Sequence, residues 1–166
     1  MRKYLILVLI VLLIGALSIG VLAGKTGQAG KSNTAHLYLH EKVPADLWPI
    51  VEDGAWGKMK YNLSGSTFDF VFNGHDLKGE VGIEYTLIYY PDPWPGNGLI
   101  CLGTGTVDEF GDVHIMGSVD TGDLTDAKIW LVLSDDVDCD VAQIVGWNPT
   151  EYLFEYDLIT FDDTDI

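Results

Sequence analysis

The 166-residue chain is short of positive charge, with 9 Lys and Arg against 25 Asp and Glu and a formal net charge of −16. Its few basic residues form no Lys/Arg stripe, and so acidic a surface repels phosphate backbones, which excludes nucleic acid as a partner. Cysteine is nearly absent as well, and 2 residues are too few to build a structural zinc motif. Ser64, Ser66, Ser118 and Ser134 lie outside any G-x-S-x-G elbow and have no histidine placed beside them, so a serine-nucleophile site finds no support. From residue 36 onward no window of about a dozen residues keeps a helical stripe, which excludes helix bundles and alternating α/β architectures.

What the chain does have begins with Arg2 and Lys3 ahead of an uninterrupted apolar run over residues 4–23. No surface of a small soluble domain accommodates such a run. It reads as a signal peptide cut after Val21-Leu22-Ala23, or as an N-terminal hydrophobic helix kept as a membrane anchor. Either way the basic pair holds the N-terminus inside and sends the rest outside, so the expected location is extracellular or at the cell surface. No cysteine follows the run directly, and a lipidated N-terminus is therefore not available. Residues 24–35, rich in glycine and polar side chains, read as a flexible linker. The remaining residues, 36–166, form one domain, for which a 48% hydrophobic content supplies a core.

That domain reads as all-β. Phe68, Phe70 and Phe72 fall on one face, as the core side of a half-buried strand requires, and Leu37 with Leu39 and the segment 58–63 show the same period. Further strands are expected over 83–90, 99–107, 113–119, 127–133, 141–147 and 152–161, about eight in all. Ser64-Gly65-Ser66 predicts a hairpin turn, Asn73-Gly74 a strand end, and Glu109-Phe110-Gly111-Asp112 a tight hairpin between two strands. Antiparallel strands at this spacing predict a two-layer, immunoglobulin-like β-sandwich. The proline-bracketed stretch 44–50 is the exception, a short helical turn or an ordered loop.

Cys101 and Cys139 suit an oxidising compartment and are expected to pair, the alternative being two free thiols. Closing that loop would stabilise the fold by about 4 kcal/mol in the chain-entropy model.

Carboxylates gather in the turns, and Asp120, Asp123 and Asp126 are the candidate ligands for a calcium ion, although their spacing matches no EF-hand and a solvated acidic loop is the plainer reading. Asp120-Thr121-Gly122 has the letters of an aspartic-protease turn, but Asp123 follows where a third charge would perturb a shared-proton pair. His36 and His40 would share one strand face, as surface residues or as partial ligands of a transition metal. The most distinctive stretch runs from Tyr85 through Tyr90, Asp92, Trp94 and Asn97. Its three prolines restrict how Trp94 can point, so Tyr90, Asp92, Trp94 and Asn97 could stack a sugar ring and hydrogen-bond its hydroxyls, or Trp94 could fold back as a cap. Asn62-Leu63-Ser64 is an N-glycosylation sequon with Asn62 as acceptor.

The segments Leu87-Ile88-Tyr89-Tyr90-Pro91-Asp92-Pro93-Trp94-Pro95-Gly96 and Gly146-Trp147-Asn148-Pro149-Thr150-Glu151-Tyr152-Leu153-Phe154-Glu155 resemble stretches of uncharacterised exported all-β proteins of archaea and environmental bacteria. The resemblance spans residues 56–161 and implies an exported single domain, with no catalytic residues to transfer. Together these readings predict a non-enzymatic module for adhesion, envelope structure or ligand binding, whose partner is an envelope or extracellular component such as a polysaccharide. Membrane contact would run only through residues 4–23. Two alternatives stand beside it: a secreted hydrolase using loop carboxylates, and a calcium-stabilised extracellular module.

Overall fold

The computed structural model describes residues 32–45, 47–78 and 81–165. The apolar segment 1–23 and most of the linker lie outside the described residues. The fold is all-β: among the described residues helical structure is limited to single 3-10 turns at Ser134–Asp136 and Pro149–Glu151, and no helix there is long and apolar enough to cross a membrane.

Single-faced alternation builds the first strands. In β1 (Thr34–His40) Leu37 and Leu39 are buried, in β2 (Trp56–Asn62) Met59 and Tyr61, and in β4 (Phe68–His75) Phe68, Phe70 and Phe72. β2 pairs with both neighbours in antiparallel register, Leu37 opposite Met59 and Met59 opposite Phe72, so the three inner faces meet the same core. The expected hairpin through Ser64-Gly65-Ser66 is present. Asn73-Gly74, by contrast, does not end its strand: Gly74 sits opposite Gly57 on one side and Val113 on the other, and β4 continues to His75.

The remaining elements are β3 (Ser64–Gly65), β5 (Glu84–Tyr90), β6 (Ile100–Thr106), β7 (Val113–Val119), β8 (Leu124–Leu133), β9 (Val137–Asp138), β10 (Gln143–Ile144), β11 (Leu153–Glu155) and β12 (Ile159–Asp163). Ten strands join in one sheet, and its long antiparallel path runs β6-β5-β8-β11-β1-β2-β4-β7. β12 carries on along β8 beyond β11 and pairs in parallel with β3, which makes the sheet mixed. The pairing is thus continuous and does not divide into the two separate sheets expected of an immunoglobulin-like sandwich.

The ends of that path come back together. β6 and β7 are joined by the turn at 107–112, closed by the Asp108 N–H donating to the Asp112 carbonyl at 2.9 Å, and they lie close to one another. Yet they share no register of paired residues, so the tight connection read from Glu109 to Asp112 is a corner and not a hydrogen-bonded hairpin. Glycine makes the approach feasible. A Cβ on Gly117 would stand 3.0 Å from the Leu102 carbonyl oxygen, and one on Gly105 would stand 2.7 Å from Val113 Cγ2 and 3.0 Å from the His114 carbonyl oxygen. The sheet therefore curls round a main core that includes Leu39, Met59, Phe68, Phe72, Leu87, Ile115, Leu131 and Phe161.

Two expected strands come out differently. Residues 141–147 yield only the two-residue β10, paired with β9, because Ile144 alone among the apolar side chains there is buried. Residues 152–161 split into β11 and β12, with Tyr156, Asp157 and Leu158 exposed at the break. The described residues of the stretch 44–50 form a loop spanned by an isolated bridge between Lys42 and Ile50, with Leu47 and Trp48 at positive φ.

Replacing Gly105 by valine should force the β6 and β7 backbones apart, and we expect a loss of about 1–3 kcal/mol in urea unfolding, the range typical of overpacking. An unchanged unfolding midpoint would show that the two edges do not approach closely in solution.

Candidate functional site

β8 is unusual in being buried on both faces. From Ile129 onward its side chains alternate between two clusters, with Ile129 and Leu131 facing the main core and Trp130 and Val132 facing outward into a second one. Its neighbours continue the pattern: Ile88 and Tyr90 from β5 and Phe154 from β11 join the outer cluster with Tyr152 and Leu99. An outward apolar face of this kind needs a cover, and the excursion through residues 134–148 supplies it, inserting Ile144 and Val137.

Two devices hold that cover. Cys101 in β6 and Cys139 in the excursion form the expected disulfide, with Cα atoms 5.9 Å apart. The second is the buried carboxylate of Asp136, which accepts from Tyr152 Oη at 2.6 Å and from Asn148 Nδ2 at 3.0 and 2.8 Å on its two oxygens. Tyr152 Oη in turn accepts from the Asn148 backbone N–H, while the Asp136 carbonyl accepts the N–H groups of Val145 and Gly146. A Cβ at position 146 would collide with the Asp136 carboxylate, so glycine is required there. Burial, reinforced by the Asp136 hydrogen bond, raises the Tyr152 phenol above its ordinary value and keeps it a donor.

Where the cover ends, a cleft of about 270 Å³ opens, lined by Lys42, Trp48, Lys128, Trp130, Trp147, Phe154 and Glu155. Four of its rings touch in a closed circuit: Trp48 to Phe154 at 5.2 Å between centroids, Phe154 to Trp130 at 5.2 Å, Trp130 to Trp147 at 6.3 Å, and Trp147 back to Trp48 at 6.2 Å. Tyr90 lies behind, stacked on Trp130 at 3.8 Å and fixing its plane. Trp94 extends the wall outward through an edge contact with Trp147 at 5.0 Å. Trp48, Trp147 and Trp94 are 38%, 42% and 53% exposed. So much exposed indole in contact makes an apolar surface patch, a feature that commonly marks interaction sites.

The polar end of the cleft is mixed in charge. Lys42 Nζ donates to the Glu155 carbonyl at 2.7 Å, and Lys128 pairs with Asp92 on the rim. Burial raises the Glu155 carboxyl above its ordinary value; its own backbone N–H, Lys42, the Trp130 indole and Lys128 oppose the shift without cancelling it. The indole N–H favours the carboxylate electrostatically, but neither Trp130 Nε1 nor Glu155 Oε2 completes a hydrogen bond in aligned geometry, so we regard the contact as weak. A larger hollow of about 540 Å³ on β2, β4 and β7 is an open saucer, and its aromatic rings, Tyr61 and Phe70, are buried in the core.

Of the residues singled out in the sequence, Asp92 and Trp94 reach the rim of this cleft, Tyr90 is buried behind it, and Asn97 is exposed in the following turn. Lys42, Trp48, Lys128, Trp147, Phe154 and Glu155 were not legible as a site, because they come from chain segments that only the folded sheet brings together. Asp120, Asp123 and Asp126 sit in the β7–β8 turn and the start of β8; Asp123 accepts the Asp163 N–H at 2.8 Å and Asp126 has a positive φ. Among the described residues no three His, Cys, Asp or Glu side chains are grouped to hold a metal ion, His36 and His40 included. The Asn62 amide is engaged in its turn: Nδ2 donates to the Ser64 and Thr67 carbonyls and Oδ1 accepts the Asp69 N–H, so a glycan on that nitrogen would have to break these bonds.

The raised Glu155 carboxyl makes a signed prediction. The fold disfavours its charge, so it lowers stability as pH rises from the ordinary value of 4.5 through the elevated folded value, and the full cost is present above both. Glu155→Gln should therefore melt higher than wild type at pH 7, and the gain should vanish below pH 4.5. Parallel melting curves for the two proteins across that pH range would refute the burial.

No family model, curated protein or solved structure matches the chain, so the functional reading rests on the cleft itself.

Proposed function

We propose that this protein is an exported or surface-anchored, non-enzymatic β-module that binds a carbohydrate of the envelope or the medium in the aromatic cleft. The observation that carries the reading is the row of exposed indoles. Trp147 touches both Trp48 and Trp94, while those two make no ring contact with each other, so the three follow one another along the surface. A pyranose presents an apolar C–H face to such rings and hydroxyls at its edge, and Asp92, Lys128 and Lys42 stand beside the rings as polar partners. A cleft near the lower end of the usual range for ligand sites suits one sugar unit, with its neighbours lying along the row. The disulfide accords with an oxidising compartment outside the cytoplasm.

Binding is favoured over hydrolysis by the carboxylates. Glycoside hydrolysis uses a pair of them across the scissile bond. This cleft is lined by one, Glu155, and the nearby Asp92 is engaged by Lys128.

Trp94 is about half exposed and meets Trp147 at an edge, so Trp94→Ala should leave the melting temperature little changed while lowering retention on an immobilised polysaccharide about tenfold. Affinity electrophoresis through a panel of polysaccharide gels measures this. Unaltered mobility of the wild type in every gel would overturn the carbohydrate reading, and a lowered melt in the variant would make Trp94 a structural cap.

A further inference from the structure

The distribution of positive charge says more about the ligand. The described residues include only five Lys, namely Lys42, Lys58, Lys60, Lys78 and Lys128, and no Arg. Lys78 is paired with the buried Glu41, Lys58 lies 5.5 Å over the Tyr38 ring, and Lys60 lines the open hollow. The other two, Lys42 and Lys128, line the same small aromatic cleft. Two cations at one cleft offset its own two carboxylates, Glu155 and Asp92, so that the charge there is locally balanced on a domain otherwise dominated by carboxylates.

Neither lysine is used up. An ammonium carries three donors. Lys42 commits one to the Glu155 carbonyl, and Lys128 commits one to Asp92, whose side chain is 65% exposed and free to share the cation. The Glu155 carboxyl lies within electrostatic reach of both ammonium groups, but the hydrogen bonds of the lysines go to the Glu155 carbonyl and to Asp92, which leaves further donors on each. An anionic group entering between the rings and the two ammonium groups would find donors on its flank and apolar rings beneath it.

We propose that the cleft selects an acidic saccharide: a hexuronic acid unit whose pyranose face rests on Trp147 and Trp48 and whose carboxylate is held by Lys42 and Lys128. This rests on the carbohydrate reading above and narrows it. The acidic remainder of the surface repels a long polyanion, so recognition falls on a short stretch or a chain end, and the affinity falls with ionic strength as the lysine contacts are screened.

The test is calorimetric titration of the full mature protein with tetrasaccharides of galacturonate, glucuronate and mannuronate, each alongside its carboxyl-reduced, uncharged counterpart and with benzoate as a non-saccharide anion. At least one uronide should bind about tenfold more tightly than its reduced form. Lys42→Gln and Lys128→Gln should each weaken the uronide about three- to fivefold more than they weaken its reduced form, the range expected of partly exposed ion pairs. The double variant should lose the preference. If Lys42→Gln lowers the melt by releasing the Glu155 carbonyl, Lys128→Gln decides alone. Equal or tighter binding of the reduced saccharides would overturn this inference and leave the carbohydrate reading standing. Benzoate binding as tightly as the uronide would show a generic anion site and also overturn it. Failure of every saccharide to bind would sink both readings.

Discussion

A strand that is apolar on both faces must be covered on both, and in this protein that constraint falls on β8. Ile129 and Leu131 are satisfied by the curled sheet itself, but Trp130 and Val132 point out of it, with Ile88 and Tyr90 beside them on β5. Left to solvent, each such side chain would forfeit about 1.5–3 kcal/mol of burial. The long excursion between β8 and β11 follows from this need. Because it has almost no ladder of its own, only the two-residue pairing of β9 with β10, its position depends on point anchors. The disulfide fixes one side, and the Asp136, Asn148 and Tyr152 cluster fixes the other.

The anchors also explain where the cleft lies. Asn148 and Tyr152 belong to the same stretch as Trp147, so the hydrogen bonds that seat the cover set the indole against Tyr152, Trp130 and Phe154. Asp136 is a carboxylate buried without a cation. It is tolerated because neutral donors reach both of its oxygens, which is how a buried charge can be stabilised in the absence of a counter-ion. The main core, by contrast, uses hydrophobic burial and needs no polar network of this kind. Stability of the curled sheet and placement of the cleft are thus governed by different chemistry in different parts of the chain.

This division decides what could be read from the sequence. β1, β2 and β4 bury one face only, so the alternation of Leu37 with Leu39 and of Phe68, Phe70 and Phe72 exposes them to a period-two reading. The run from Ile129 to Leu133 shows no alternation because both faces are buried, and it is legible as a strand but not as one that needs a lid. At 107–112 the turn residues were informative about the corner. What they could not reveal was the partner of each flanking strand, since Gly103, Gly105 and Gly117, which let β6 and β7 meet without a ladder, read locally as weak strand formers. Around the aromatic loop, Asp92 and Trp94 were legible from their proline-rich setting. Trp48, Trp147 and Glu155 were not, because the bridge at Lys42, the lid and the broken β11–β12 strand bring them together from distant positions.

The sparseness of basic residues then acquires a structural meaning. In a surface with many carboxylates, a lysine placed anywhere gains long-range attraction, and an even scatter would serve solubility best. Lys42 and Lys128 are instead on strands and bridges that border the same aromatic walls, one tied to the backbone of β11 and the other to the Asp92 rim. Both tethers restrict long, flexible side chains that would otherwise sweep through solvent, and restricting them before a ligand arrives removes part of the entropy that binding would have to overcome. The rings are held in the same way, Trp130 by its stack on Tyr90 and Trp147 by its edge contacts. The walls and the cations of the cleft are thus held by separate anchors, Trp147 by the lid, Trp130 by β5, Lys42 by β11 and Lys128 by the Asp92 rim, which is the preorganisation that the proposed recognition would draw on.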